Sequence, residues 1–300
     1  MDWEKVKKEN LPLVHEIKDD SALFEHFCGL LRQFEDAHIN LESHHLGLSC
    51  NAGKIPPFLQ EFPSNEAFGV FIEARDKTLS QLGIHGLKDS NSKIFQYGTN
   101  SDRTYAYLRI RRFYGESLEN IQSELKGLME EIGKAKEMII DIRVNPGGND
   151  PTALICASPF FPKKEIAFIK QLRNGPKHED FGKADTSYVF PHSAIKTHYQ
   201  HIYLLTHRAS SSSAEAFAIS MKNLSNLTQI GTNTEGIFSD VYRDTLSNGW
   251  TLTLSDERYF SKDMICLEGV GVPVDVERHN TYKDAVLGVD PLIQYIVDLE

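Results

Sequence analysis

The sequence predicts an α/β fold, with a layered core of parallel strands and helices that follows a helical N-terminal part. Three observations predict it. From residue 104 onward, short apolar runs alternate with stretches of helical periodicity, the rhythm of strand–helix–strand units. Before residue 35 the apolar residues recur at helical spacing instead. The composition, 40% apolar and 25% charged over 300 residues, is that of a globular chain able to bury one large core, or a large domain with a small one attached.

The elements follow in order. Val6, Leu11, Val14 and Ile17, then Leu23, Phe27, Leu30, Leu31 and Phe34, predict helix over residues 1–35, with Asp19, Asp20 and Ser21 as N-cap candidates for a second helix. Residues 39–54 read as a strand pair or an extended stretch, and Pro56, Pro57 and Pro63 then break the chain. Residues 68–75 and 92–97 are expected to be short strands, and 104–111 a strong one. A helix follows, with Ser117 as N-cap and Leu118, Ile121, Leu125, Leu128, Met129 and Ile132 on its buried face. The apolar run 138–143 ends in Pro-Gly-Gly and predicts a central strand. Strand 202–205, helix 213–222 and strand 228–230 continue the alternation. Residues 242–265 read as antiparallel hairpins around Ser247-Asn248-Gly249, which adds an α+β character, and 290–299 as a closing helix. Two domains are expected: 1–98, helical and mixed, and 99–300, the α/β core.

Charge and cysteine usage exclude several functions. A net charge of -10 argues against nucleic acid as a partner, since phosphate binding needs a basic surface. No apolar run is long enough to span a membrane, and the opening MDWEKVKKEN has no apolar leader. Periplasmic or extracellular location is favoured if an export signal stood upstream and was removed, and cytoplasmic location otherwise. Cys28, Cys50, Cys156 and Cys266 lie far apart with no Cys-x-x-Cys pair, so neither a zinc site nor a disulfide is expected.

Three segments carry chemistry. In Asp141-Ile-Arg-Val-Asn-Pro-Gly-Gly-Asn149 a buried strand runs into a turn whose glycines could aim free N–H groups at an oxyanion, or could simply form a tight turn. In the segment 206–219, four serines, Ser210 to Ser213, precede an alanine-rich helix. A serine there stands near free backbone donors, which suits a nucleophile, while Ser-x-x-Glu is equally the pattern of a capping box. His38, two residues after Asp36, ends a helical stretch and could be a general base or a surface histidine at a helix C-terminus.

In combination, these segments resemble the tail-specific (C-terminal processing) serine peptidase family. The set Asp141-x-Arg143-x-Asn145-x-Gly147-Gly148, Ser212-x-x-Glu215 and Gly231-x-x-Thr234-x-Gly236 stands in that family's order and spacing. Asp36-Ala37-His38 resembles the Asp-Gly-His stretch of its tricorn-like, histidine-base branch. Residues 268–275, from Glu268 to Asp275, are similar to the late segment that supplies that branch's acid, and Gly288-Val-Asp290-Pro-Leu fits the family's end. The resemblance runs over residues 1–300.

The resemblance implies a ClpP/crotonase-like α/β core and a serine endopeptidase or C-terminal processing peptidase acting through an acyl-enzyme. It gives Ser212 as nucleophile, His38 as base and Glu268 as the acid that orients it. The backbone N–H groups of Ser213 and of Gly147 or Gly148 would form the oxyanion hole, with Asp141, Arg143, Asn145 and Glu215 supporting. It implies no metal and no cofactor, a peptide or protein substrate, and leaves a homo-oligomer open. Where the lysine-dependent branch carries its base, this chain has Ile237, and where tricorn has a serine before the histidine, it has Ala37. The 65 or so residues between His38 and Thr104 are too broken for an inserted PDZ domain. The competing reading is a hydrophobic-ligand-binding protein on the same scaffold, like interphotoreceptor retinoid-binding protein. The presence of Ser212, His38 and Glu268 favours the enzyme.

Overall fold

The computed structural model describes residues 3–300. It divides into two compact units: the chain up to Lys54 with Ser239–Asp256, and Ile55–Phe238 with Glu257–Glu300. This division differs from the boundary expected at residue 98. Residues 55–98 go with the larger unit because their strands join its sheet, and 239–256 go with the smaller because their strands join its own.

In the smaller unit, α1 (Trp3–Glu16) and α2 (Asp20–Leu31) form where helical spacing places them. Residues 1 and 2 of that expectation lie outside the described residues. Asp19 caps α2, its carboxylate accepting the Ala22 N–H at 2.8 Å. The hairpin of β1 (Asn40–Ser43) and β2 (Leu48–Asn51) follows.

The larger unit begins with α3 (Pro57–Glu61) and α4 (Asn65–Gln81). Here the structure corrects the expected strand at 68–75. Ser64 caps a helix by accepting the Ala67 N–H, and Phe71, Ala74, Arg75, Thr78 and Leu79 bury one helical face. An eight-residue window is too short to reveal that period. Strands β3 (Lys88–Asp89), β4 (Phe95–Thr99) and β5 (Tyr105–Ile110) continue, so the residues between His38 and Thr104 build the β1–β2 hairpin of the smaller unit, helices α3 and α4, and the edge of the main sheet. Helix α5 (Leu118–Ile132) is capped by Ser117 and buries the expected face except Leu118, which is exposed in the first turn.

Then come β6 (Glu137–Asp141), α6 (Asp150–Ala157), β7 (Glu165–Leu172), β8 (Asp185–Val189), β9 (His201–Thr206), α7 (Ser213–Met221) and β10 (Leu227–Gly231). The chain returns to the smaller unit for β11 (Val241–Thr245) and β12 (Thr251–Ser255), the predicted hairpin about Asn248-Gly249. It re-enters the larger unit with β13 (Glu257–Phe260), which pairs with β7 and is thus not part of that hairpin. Strand β14 (Val276–Glu277) and helices α8 (Tyr282–Val286) and α9 (Pro291–Val297) close the chain.

The smaller unit is a four-stranded antiparallel sheet, β11-β12-β1-β2, with Phe24, Leu41 and Trp250 buried about it. Cys28 of α2 and Cys50 of β2 form a disulfide there, which corrects the expectation of none. Their pairing depends on a helix and a strand meeting across 22 residues, which spacing does not reveal. The larger unit has a seven-stranded sheet, β14-β10-β9-β6-β5-β4-β3, parallel from β14 to β5 and antiparallel at the β4 and β3 edge. A three-stranded sheet, β13-β7-β8, stands beside it. No helix among the described residues is long and apolar enough to cross a membrane.

Candidate active site

The three motifs leave the C-terminal ends of three adjacent parallel strands. β6 runs into Ile142–149, β9 into 207–212, and β10 into 232–237. In an open parallel sheet that edge is where loops gather to form a site.

The Pro-Gly-Gly turn is held by Asn145. Its side chain donates to the Ile110 carbonyl at 3.0 Å and accepts the Gly147 N–H at 2.9 Å, while its own carbonyl accepts the Ser211 N–H at 3.1 Å. Gly147 has φ +91, and a Cβ there would lie 2.6 Å from the Ser211 carbonyl oxygen and 2.8 Å from the Ser213 nitrogen. Only glycine lets the turn approach the serine loop this closely. The Gly147 N–H is taken by Asn145 and its carbonyl by the Phe113 N–H, and the donor of the turn with no partner among the described residues is the Gly148 N–H.

The four serines are set apart by what each touches. Ser210 donates its hydroxyl to the Ile142 carbonyl at 2.7 Å, and the Ser211 N–H goes to Asn145. The Ser213 hydroxyl donates to Asp150 Oδ1 at 2.8 Å. Ser212, half-buried, has φ 55 and ψ -126, a backbone conformation that a residue with a side chain adopts only under constraint. A serine forced into such a turn between a strand and a helix presents its hydroxyl at the sheet edge. The Ser213 N–H, first of α7, donates to nothing among the described residues.

Glu215 supplies the constraint. It is fully buried and accepts four donors: Thr234 Oγ1 at 2.6 Å, Gly236 N–H at 2.6 Å, Ile237 N–H at 2.8 Å and Ser212 N–H at 3.2 Å. Burial pushes its carboxyl up to about 7, and the bonds from Thr234, Gly236 and Ile237 oppose that rise. Glu215 therefore ties the serine loop to the Gly231-x-x-Thr234-x-Gly236 segment. Ile237, at the position where a lysine would stand in the other branch, contributes only its backbone and a buried side chain. Gly236 has φ +92 and packs against 269–271, and its carbonyl accepts the Gly269 N–H at 2.7 Å. Next to this contact, Glu268 accepts the Phe238 N–H at 3.3 Å.

Asp141 and Arg143 lie beneath the turn. Asp141 accepts both Nε and Nη2 of Arg143, at 3.0 and 2.6 Å, and the Tyr107 hydroxyl at 2.7 Å. Arg143 Nη1 reaches Asp290 at 2.7 Å, whose other oxygen caps α9. Burial would raise the Asp141 carboxyl, but the Arg143 guanidinium holds it well below the ordinary range. This buried network anchors β6 to the C-terminal helix, so the pair acts by holding the frame.

His38 belongs to the smaller unit. Its carbonyl accepts the Thr253 hydroxyl at 2.6 Å, and its N–H donates to Asp36 Oδ1 at 2.8 Å. Asp36 is fixed in turn by the Ser255 hydroxyl at 2.7 Å. Burial lowers the His38 pKa, opposed by the charges of Asp36 and then Asp240. Its Nδ1 is buried with no hydrogen-bond partner among the described residues. The sequence reading passed over two acids. Asp240 acts on His38 only because β11 and β12 fold back beside β1, and Asp150 meets Ser213 only in the folded loop cluster. Neither belongs to a motif.

A strained serine, a buried carboxylate fixing its loop, and N–H groups on either side without a partner among the described residues are the parts that acyl transfer by a serine would need. Residues 104–278 match the model of peptidase family S41, and the chain belongs to that family. It is 25% identical over 200 residues to a carboxy-terminal-processing protease of Bartonella bacilliformis, covering 66% of this chain and 44% of that one. The chain thus spans under half the length of this curated relative. A crystal structure of a candidate peptidase from Parabacteroides merdae superposes with a TM-score of 0.82 at 22% identity, covering 100% of this chain and 89% of that chain. Mature CPAF complexed with lactacystin superposes with a TM-score of 0.54 at 13% identity, over 72% and 53% of the two chains. These likenesses agree with the α/β fold.

Proposed function

We propose that the chain is a serine peptidase that hydrolyses peptide bonds in a peptide or protein substrate through an acyl-enzyme on Ser212. The observation that carries this is the positive φ of Ser212, alone among the four serines, beside the N–H groups of Gly148 and Ser213, which have no partner among the described residues. Ser212 Oγ attacks the carbonyl carbon while His38 takes the hydroxyl proton. The developing oxyanion accepts the Gly148 and Ser213 N–H groups. His38 then returns the proton to the leaving amine, and a water deprotonated by His38 releases the acyl group. Glu268 is the acid assigned to steady the imidazolium. Burial lowers the His38 pKa, which favours the neutral form that a base needs.

The test is intact mass after incubation with a fluorophosphonate, on wild type, Ser212→Ala and His38→Ala. One adduct on the wild type, absent from both variants, is expected. An unlabelled wild type would refute the peptidase reading, and labelling that survives Ser212→Ala would move the nucleophile to another serine. Cleavage of a peptide with free or amidated C-terminus then separates carboxy-terminal from internal preference. The Cys28–Cys50 disulfide supports an oxidising compartment, where such bonds persist.

A further inference from the structure

We infer that Asp150 is a positioning residue that keeps the two halves of the oxyanion hole in register, an assignment that rests on the peptidase reading. The hole needs one donor from each of two loops: Gly148, after β6, and Ser213, after β9. Two backbone donors act together only if their separation is held to a few tenths of an ångström. At their bases the two loops are joined by the Ser210 hydroxyl on the Ile142 carbonyl and the Ser211 N–H on the Asn145 carbonyl, and next to the donors themselves by the side chain of Asp150. Asp150 is the first residue of α6 and follows Gly148 by two positions. Its Oδ1 accepts the hydroxyl of Ser213, the residue whose own N–H is the second donor, at 2.8 Å. Its Oδ2 accepts the Tyr259 hydroxyl at 2.9 Å.

Each partner is fixed. Ser213 is buried at the start of α7. Tyr259 is fully buried in β13, its ring packed on Phe168 and Phe238. On the other side of the turn, the Phe113 N–H holds the Gly147 carbonyl at 2.8 Å and the Phe113 carbonyl holds the Asn149 N–H at 2.9 Å. Asp150 thus ties Ser213 to the segment that carries Gly148, while Asn145 joins the loops lower down, at Ser211, and Glu215 shapes the serine loop. A carboxylate at the first turn of α6 is also favoured by the helix dipole. It touches no reacting atom in the mechanism proposed.

The measurement is the pair kinact and KI for a peptidyl fluorophosphonate, whose phosphoryl oxygen occupies the hole. Asp150→Ala is expected to lower kinact about 10-fold or more with KI unchanged, a fraction of the roughly 100- to 1000-fold lost with a whole donor. Asp150→Asn, which can still accept from Ser213 and meet the Tyr259 oxygen, should recover most of the rate. Ser213→Ala should match Asp150→Ala, and the double variant should lose no more than either alone. Unchanged kinact in Asp150→Ala, additive losses, or losses confined to KI would overturn the assignment while the peptidase reading stands. A loss in Asp150→Asn as large as in Asp150→Ala would overturn it too, since hydrogen-bonded geometry would not be what matters. If Asp150→Ala fails to fold, Ser213→Ala and Asp150→Asn decide the matter on the same readout. An unlabelled wild type overturns both.

Discussion

Ser212 and His38 are held by different means. Around Ser212, main-chain geometry is over-determined: Asn145, Glu215 and the close approach of Gly147 each fix the loop independently, in a unit with a seven-stranded sheet. His38 sits on a short segment before a four-residue strand, in a small unit with a four-stranded sheet and one disulfide. A nucleophile in a strained conformation persists only where surrounding bonds outweigh the strain. A base must instead exchange a proton, and its requirement is a suitable pKa more than a rigid backbone. Much of the hydrogen bonding is therefore invested around the serine, while the histidine is governed by burial and by two acids, Asp36 and Asp240.

The sharpest way to break the contrast is Gly147→Ala. Its Cβ would fall 2.7 Å from the Ser212 Cβ at a φ only glycine adopts freely, so both turns must move. We expect labelling by a fluorophosphonate to fall about 1000-fold and stability to drop by about 3 kcal/mol, read from urea unfolding. In the smaller unit, the paired Cys28→Ser and Cys50→Ser variant should lose about 3 kcal/mol, the usual cost of opening a loop of this size. A reductant should lower the melting temperature of wild type but not of this variant.

Glu215→Gln sharpens the comparison through pH. The folded protein holds the Glu215 proton up to about 7, the unfolded chain only to 4.5, so this group's contribution is present below 4.5 and is lost as pH rises to about 7. Glutamine cannot titrate. The wild type should therefore lose stability relative to the variant between those values, by at most about 1.4 kcal/mol per pH unit. The variant also turns an amide donor towards N–H donors and should label poorly at every pH.

The smallest effect is expected at Asp36→Asn. Its charge raises the His38 pKa, so removing it lowers that pKa further. The acid limb of kcat/KM should move to lower pH than in the wild type. Asp240→Asn should shift it the same way and less. A limb that moves upward would remove His38 from the role of base.

By itself, the sequence determined the elements whose signal is local and long enough to read. Helix α5 was legible because Ser117 caps five inward residues at helical period, and β5, β6, β9 and β10 because each is a short apolar run between turn residues. The motif residues were legible for the same reason, since close backbone contacts need particular residue types at fixed spacing. Tertiary structure decided the rest. Phe71 and Ala74 became a helical face only once α4 packed, and Cys28 met Cys50 only when α2 lay against β2. Gly148 was separated from Gly147 by the Asn145 side chain, and Asp150 joined Ser213 across 63 residues. Such pairings follow from which strand ends adjoin in the sheet, and pairwise geometry between distant segments leaves no period or spacing in the chain to read.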